Sequence, residues 1–594
     1  MGIGVIVVTD RVVGTAEVTP GVARESVGVR RPAGPIVALA CLLTLALHLL
    51  YVTGPLLSDE GGFAMVARWW SSGGDYLYGP QWVDRPPGLI ATFWVANLLG
   101  PHGVRIVAGL MAAAFVLAAG WAGWAARGAR AAVWSAWAAF FLMNTPLTQT
   151  FALNGELVAA TWTMVGVAAG IHAVRGRVSY RAALALGALA GAAAASALLA
   201  KQNFADAAVF LLVLGLAEGL TQRRRRRRLL AIAGAAGAGF ALPVSVAAGW
   251  AYTHTGLGDL VYAMYGFRVD ASMVIAQWAH AGPDSRLRGL LGIALLSGIA
   301  TLAVAVLVAG RRHVGLRSPL FLACVAGGLV EIAGVALGGN YSPHYLVGIA
   351  PMLALAAGVL AVQPGRGRWL VRLFVVAPVV ATLIASPAAA VQVTRENTVQ
   401  ATGEWLARAA GRGDSVVVLY THANVVNASG LRPVYPYAWS LPIRTIDPQL
   451  DLLAATLTDP GRAPTWVVGW DALGTWWLDA DHRVAAALGT DYVRFATVCD
   501  HPIWLRRGLD RAHPPDPCAG TGIQESSIES SGGPHTPGSL PVWTSSPGVK
   551  SRSWARGRSS PAGPARSPGW SSPSGCSTGG SAGGSATTRR ASST

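Results

Sequence analysis

Between residues 34 and 390 the chain alternates long apolar runs with short polar connections. A helix rises 1.5 Å per residue, so about 20 apolar residues cross the roughly 30 Å of membrane hydrocarbon. On that scale the runs at 34–54, 103–126, 131–147, 154–174, 182–200, 204–221, 229–253, 288–310, 318–339, 343–362 and 368–389 predict about eleven transmembrane helices. Two stretches between the first and second runs, Gly61–Trp70 and Pro87–Leu99, are too short to span. They predict helices lying in the interface of a first external loop, 55–102, with Trp69, Trp70, Trp82 and Trp94 at headgroup depth. A second external loop, 254–287, is polar and carries Tyr262, Tyr265, Phe267 and Trp278.

Past residue 390 the pattern becomes that of a small water-facing unit. A helix at about 397–410 leads into a β-rich run, Ser415–Tyr420, after Gly413 and Asp414. Asp447 and Pro448 suit the N-cap and first turn of a helix through Leu457. Trp466–Trp470 and Tyr492–Val498 read as further strands. Residues 396–515 therefore predict an α/β domain with one modest core. From 519 to 594 the chain is Ser, Gly, Pro and Arg with almost no aliphatic residues, which predicts a disordered tail. Residues 1–33 read as a disordered cytoplasmic leader, followed by a retained signal-anchor helix.

Composition sharpens this picture. The 594 residues are 52% hydrophobic and 13% charged, and the mean hydropathy is +0.44, as for a multi-span membrane protein. The net charge of +17 is not a nucleic-acid footprint, because the basic residues gather on alternate connections. They are Arg30 and Arg31; Arg127 and Arg130; Arg175, Arg177 and Arg181; Arg223 to Arg228; Arg311, Arg312 and Arg317; and Arg366, Arg368 and Arg372. With the amino terminus inside, every cluster falls on the cytoplasmic side. The C-terminal domain is then extracytoplasmic, on a multi-pass protein of the cell membrane. Of the five cysteines, Cys41 and Cys324 lie in apolar runs. Cys499 and Cys518 fall on the exported side, where their spacing leaves a disulfide open.

On this topology the outer ends of the helices collect polar groups: His48, Asp59, Glu60, Asn154, Glu156, Lys201, Gln202, Asn203, Asp206, Asn340, Tyr341, His344 and Tyr345. Glu331 lies deeper, on the outer half of its run. An ionisable residue at membrane depth costs several kcal/mol unless it faces partners or water, so the set marks a cavity open to the outer leaflet. Single members could instead cap helices or snorkel.

The run LLSDEGGFAMVARWWSSGGDYLYGPQWVDRPPGL resembles the first external loop of C-type (GT-C) membrane glycosyltransferases. The likeness is to the branch of protein O-mannosyltransferases and lipid A aminoarabinose transferases. Asp59-Glu60, then Arg85-Pro86-Pro87, match in kind, order and spacing. Asn154-Gly155-Glu156 is similar to the acidic second external loop, and Asn340-Tyr341-Ser342-Pro343-His344-Tyr345 to the late His/Arg-Tyr segment. The resemblance implies transfer of a sugar from a polyprenyl-phosphate donor to an acceptor hydroxyl, in one displacement with inversion. It implies Asp59 as the base. Glu60 would hold the acceptor or a neighbouring cation, and Glu156 would position sugar hydroxyls or act as a second carboxylate. Arg85 and Lys201 would stabilise the departing phosphate as its charge grows. Asn154, Asn340, Tyr341, His344 and Tyr345 would bind substrate. The sugar, and the acceptor class among protein, lipid and glycan, stay open.

No metal is assigned. Asp59, Glu60 and Glu156 offer hard oxygens suited to Mg²⁺ or Mn²⁺, while His102, His254, His280 and His344 match no zinc spacing. His422, Asp471 and His501 read as surface or core polar residues rather than a triad. The C-terminal domain is expected to cover the outer opening or bind the acceptor. A secondary transporter or flippase for lipid-linked sugars is the alternative. It should show paired halves and midplane polar groups, and neither is visible here. A non-catalytic role in envelope assembly is the third reading.

Overall fold

The computed structural model describes residues 33–70, 77–277, 281–313, 318–520 and 523. The leader, Trp278, His280 and nearly all of the tail expected from the sequence lie outside these residues.

The first part of the chain is a helical bundle. Its helices are α1 (Ala33–Leu49), α2 (Ser58–Trp70), α3 (Pro87–Leu98), α4 (Gly103–Arg127), α5 (Ala129–Asn144), α6 (Gly155–Arg175), α7 (Tyr180–Ala200), α8 (Asp206–Thr221), α9 (Arg226–His254), α10 (Leu257–Val261), α11 (Phe267–Gln277), α12 (Ala281–Leu296), α13 (Ile299–His313), α14 (Pro319–Gly338), α15 (Ala350–Leu360) and α16 (Gly367–Val393). Every expected span coincides with helix. Among the described residues, α4, α6, α7, α9, α14, α16 and the unit Pro343–Leu360 are long and apolar enough to cross a membrane. The α12–α13 pair makes an eighth if counted as one span. The other three expected spans fold as the shorter helices α1, α5 and α8, of 17, 16 and 16 residues.

The run expected as one helix over 288–310 is bent by 67°. The break falls at Ser297-Gly298, where Gly298 takes φ +85°, a conformation open to glycine without a Cβ penalty. Pro378 of α16 presses on the position a Cβ would fill. Elsewhere small residues line the seams along which α4 meets α1, α5 and α6, and α7 meets α6 and α9. Such faces let helices approach closely without a hydrophobic drive between them.

Residues beyond α16 form α17 (Thr398–Ala409), β1 (Ser415–Val418), α18 (Ala423–Ser429), β2 (Arg432–Pro433), α19 (Ser440–Ile446), α20 (Asp451–Thr458), β3 (Trp466–Val468), α21 (Arg483–Asp491), β4 (Tyr492–Val498) and β5 (His501–Arg506). The sheet order is β2-β1-β3-β5-β4. β1 runs parallel to β2 and β3, while β5 is antiparallel to both β3 and β4. The last strand, β5, was not among the expected elements. Asp447 does cap a helix, but not by starting it. Leu450, at φ +57°, delays α20 to Asp451, and the Asp447 carboxylate reaches forward to accept from Leu452 N and Leu453 N, both at 3.1 Å.

Cys499, in the turn between β4 and β5, is disulfide-bonded to Cys518, 19 residues on. Asp516 Oδ1 accepts from the backbone N–H of both, at 3.2 and 3.0 Å. Closing a loop of this length stabilises by about 3 kcal/mol, chiefly through the unfolded chain. Reductant is therefore expected to lower the unfolding free energy of the intact protein by that amount, read as a fall in the chemical denaturation midpoint. A midpoint indifferent to reductant would refute this.

Part of the first external loop is covered by the C-terminal region. Residues Gly61 to Ala67 of α2 are buried, because α18 of the C-terminal region lies along them. Trp82, expected at headgroup depth, is 5% exposed and packs edge-on against Phe267, 4.7 Å away, and Tyr437. Trp94, at 40%, does stay open.

Candidate active site

Asp59 and Glu60 stand in the first turn of α2, where the helix dipole favours negative charge. Adjacent residues on a helix diverge by about 100°, so the two carboxylates serve different surroundings. Glu60 turns inward. Its Oε2 lies 3.0 Å from Arg105 Nη2 and accepts from Leu57 N at 3.1 Å, and its Oε1 accepts from Leu153 N at 2.9 Å. Arg105, on α4, also donates to Pro55 O at 2.7 Å and Phe151 O at 3.1 Å. Both side chains of the pair are 1% exposed. Glu60 thus holds a neighbouring cation, and the pair ties two loop segments, 55–57 and 151–153, to α4.

Asp59 points the other way and is half-buried. Its Oδ1 accepts from Trp439 Nε1 at 3.1 Å, a residue 380 positions later in the chain. On its open side Asp59 acts electrostatically on Arg85. Arg85 Nη1 pairs with Asp84 at 2.7 Å, and Asp84 is shared with Arg268 of α11 at 2.5 Å. Burial works against the Arg85 charge, but Asp84 and then Asp59 outweigh it, holding the guanidinium above its ordinary range. Burial likewise opposes the Asp84 charge, and Arg268 and Arg85 more than offset it, so its carboxyl sits below the usual range.

Two helix ends complete the cluster. Glu156 lies in the first turn of α6 and Lys201 is the C-cap of α7, each at the terminus whose dipole suits its charge. The two form an ion pair, and His344 Nε2 lies 3.5 Å from the same Glu156 oxygen. Lys201 Nζ also sits 4.3 Å over the Tyr345 ring. Tyr345 and Glu156 both act on Arg85. The structure therefore gathers Asp59, Arg85, Glu156, Lys201, His344 and Tyr345 at one end of the bundle.

Other expected residues have separate duties. Asn154 caps α6, its Oδ1 accepting from Leu157 N at 2.8 Å. Asn340 accepts from Arg286. Tyr341 donates back to Ala336 O at 3.3 Å. His48 Nε2 meets Met143 O at 3.2 Å inside the bundle. Asp206 accepts from Thr163 at 3.0 Å, and Glu331 lies against Gly348. Gln202 Nε2 donates to Asp84 O and Met264 O, bracing the loop that carries Arg85. Sequence reasoning missed Asp84, Arg105, Arg268 and Trp439. Asp84 adjoins the Arg-Pro-Pro motif and was readable as its counter-charge.

The three carboxylates weighed as Mg²⁺ or Mn²⁺ ligands do not fit one ion. Glu60 has both oxygens engaged by N–H donors and Arg105, and Glu156 is engaged by Lys201 and His344. A hard divalent ion needs several oxygens converging on one point. The cluster is a set of alternating charges instead, suited to an anion beside a carboxylate base.

No protein-family model and no curated protein matches the chain. Among solved structures, ArnT from Cupriavidus metallidurans bound to undecaprenyl phosphate matches with TM-score 0.56 at 15% identity, over 81% of this chain and 99% of that one. The apo form of ArnT gives TM-score 0.42 at 16% identity, over 80% and 98%. The archaeal oligosaccharyltransferase AglB from Archaeoglobus fulgidus, in complex with an inhibitory peptide and a dolichol-phosphate, gives 0.47 at 12%, over 77% and 72%. The match to the undecaprenyl phosphate-bound ArnT structure, over 81% of this chain, is a likeness of fold: the chain is a polytopic membrane protein with the GT-C fold.

Proposed function

We propose that this protein transfers a sugar from a polyprenyl-phosphate donor to an acceptor hydroxyl, with inversion, on the outer face of the cell membrane. The observation that carries this reading is the Lys201–Glu156–His344 group with Tyr345 under the Lys201 ammonium, within whose electrostatic reach Asp59 and Arg85 also lie. The undecaprenyl phosphate bound to ArnT supplies the donor class by analogy of fold. The positive-inside pattern and the Cys499–Cys518 bridge favour the extracytoplasmic side.

In the reaction the acceptor oxygen attacks the anomeric carbon as the bond to the phosphate oxygen breaks. The hydroxyl proton passes to Asp59, and polyprenyl phosphate leaves. Negative charge grows on the leaving phosphate, so Arg85 and Lys201 bind it more tightly at the transition state than in the ground state. Glu156 keeps Lys201 oriented and presents its carboxylate to sugar hydroxyls, with His344 and Tyr345 lining the same pocket. Arg85→Gln is expected to lower kcat/KM by about tenfold to a hundredfold, the range for a hydrogen bond to a charged group, with most of the loss in kcat. An unchanged kcat would remove Arg85 from the leaving-group site.

The test of the function is turnover itself. Purified protein in lipid vesicles would be given a panel of radiolabelled polyprenyl-phosphate sugars and membrane-extract acceptors, and release of polyprenyl phosphate followed. Release that requires an acceptor is the expected result. Movement of lipid-linked sugar across the bilayer without release would replace this reading with transport.

A further inference from the structure

The C-terminal α/β region does more than stand over the candidate site: it grips the helix that carries the base. Asn424 of α18 donates to Leu56 O, just before α2, at 3.1 Å. Ala423, Asn424 and Trp439 press on Gly61 and Gly62 so closely that neither position has room for a Cβ. At the far end of α2, Arg68 Nη2 donates to Asn427 Oδ1 at 3.1 Å. Between these clamps the indole of Trp439 packs against Phe63, 5.5 Å between ring centroids, and aims its N–H at Asp59 Oδ1.

An indole N–H is a donor with one direction, and a carboxylate it engages loses rotational freedom. Resting on the reading of Asp59 as base, we infer that Trp439 is a positioning residue for the transfer reaction: it holds Oδ1 so that Oδ2 receives the acceptor proton. The soluble region thereby completes the site of the membrane region.

The test replaces Trp439 with phenylalanine and, separately, with benzothienylalanine, an isostere with sulfur in place of N–H. Both are made in the full-length protein in vesicles, with kcat and KM for the donor followed. At pH 7 kcat is expected to fall about tenfold while KM for the donor changes less than about twofold. The isostere keeps the packing on Phe63 and Gly62, so it carries the test if the phenylalanine variant does not fold. An unchanged kcat in the isostere, with Asp59→Asn inactive, would mean that the indole only packs. Full turnover in Asp59→Asn would instead sink the base itself, and the role of Trp439 with it.

Discussion

Asp59→Asn is expected to reduce kcat by about 10²–10⁴-fold while donor binding stays within about threefold of wild type. That range is what a positioned general base contributes when its proton-accepting form is removed. The substitution is close to isosteric, and an amide oxygen still accepts the Trp439 N–H bond, 3.1 Å long in the native protein. Asp59 lies outside the buried Glu60–Arg105 pair, so folding should be little affected. The informative comparison is between chemistry and binding. Release of polyprenyl phosphate and binding of a non-transferable donor should part company, the first lost and the second kept. Equal loss of both would place Asp59 in donor binding rather than proton transfer. Loss of neither would leave the carboxylate without a role in the reaction.

The second large effect lies in stability. Arg105→Met is expected to cost about 3–5 kcal/mol, because it leaves Glu60 as a buried charge without its counter-ion. Arg105 also satisfies Pro55 O and Phe151 O, so two carbonyls lose their donor at the same time. Pairing the change with Glu60→Gln removes the uncompensated charge and keeps an oxygen to accept from one of the two donors, Leu57 N–H or Leu153 N–H. The double variant should therefore recover much of the loss. Denaturant unfolding of wild type, both single variants and the double gives the coupling directly. A single-variant cost below about 1 kcal/mol would show that the pair is not a structural tie.

The contrast between these neighbouring acids marks what the sequence could and could not reveal. Each apolar run read as a span is helical among the described residues, because hydrocarbon thickness imposes run length on each segment alone. It could not foresee the 67° break at Ser297-Gly298, since a single Ser-Gly inside an apolar run is tolerated in many straight helices. The acidic pair and Arg85 were legible because ionisable groups at membrane depth demand a reason. The partners that divide them were not. Glu60 is claimed by Arg105, an arginine inside a run read only for its apolar length, and Asp59 by a tryptophan 380 positions away. Partners that distant in sequence are set by topology, which no local pattern encodes. The same holds for Asp447, whose carboxylate caps a helix that begins four residues beyond it.

The clamp of α18 and Trp439 upon α2 has a consequence for biosynthesis. The helix bearing Asp59 leaves the ribosome early, but the residues that grip it follow some 360 to 380 positions later. At about 5–20 residues per second, that interval lasts roughly 20 to 75 seconds. Throughout it the glycine face of α2 is without its cover and Asp59 without its indole. A chain cut short before Ala423 has none of these contacts, so the last-made part of the protein fixes the surroundings of Asp59 on one of the first-made helices.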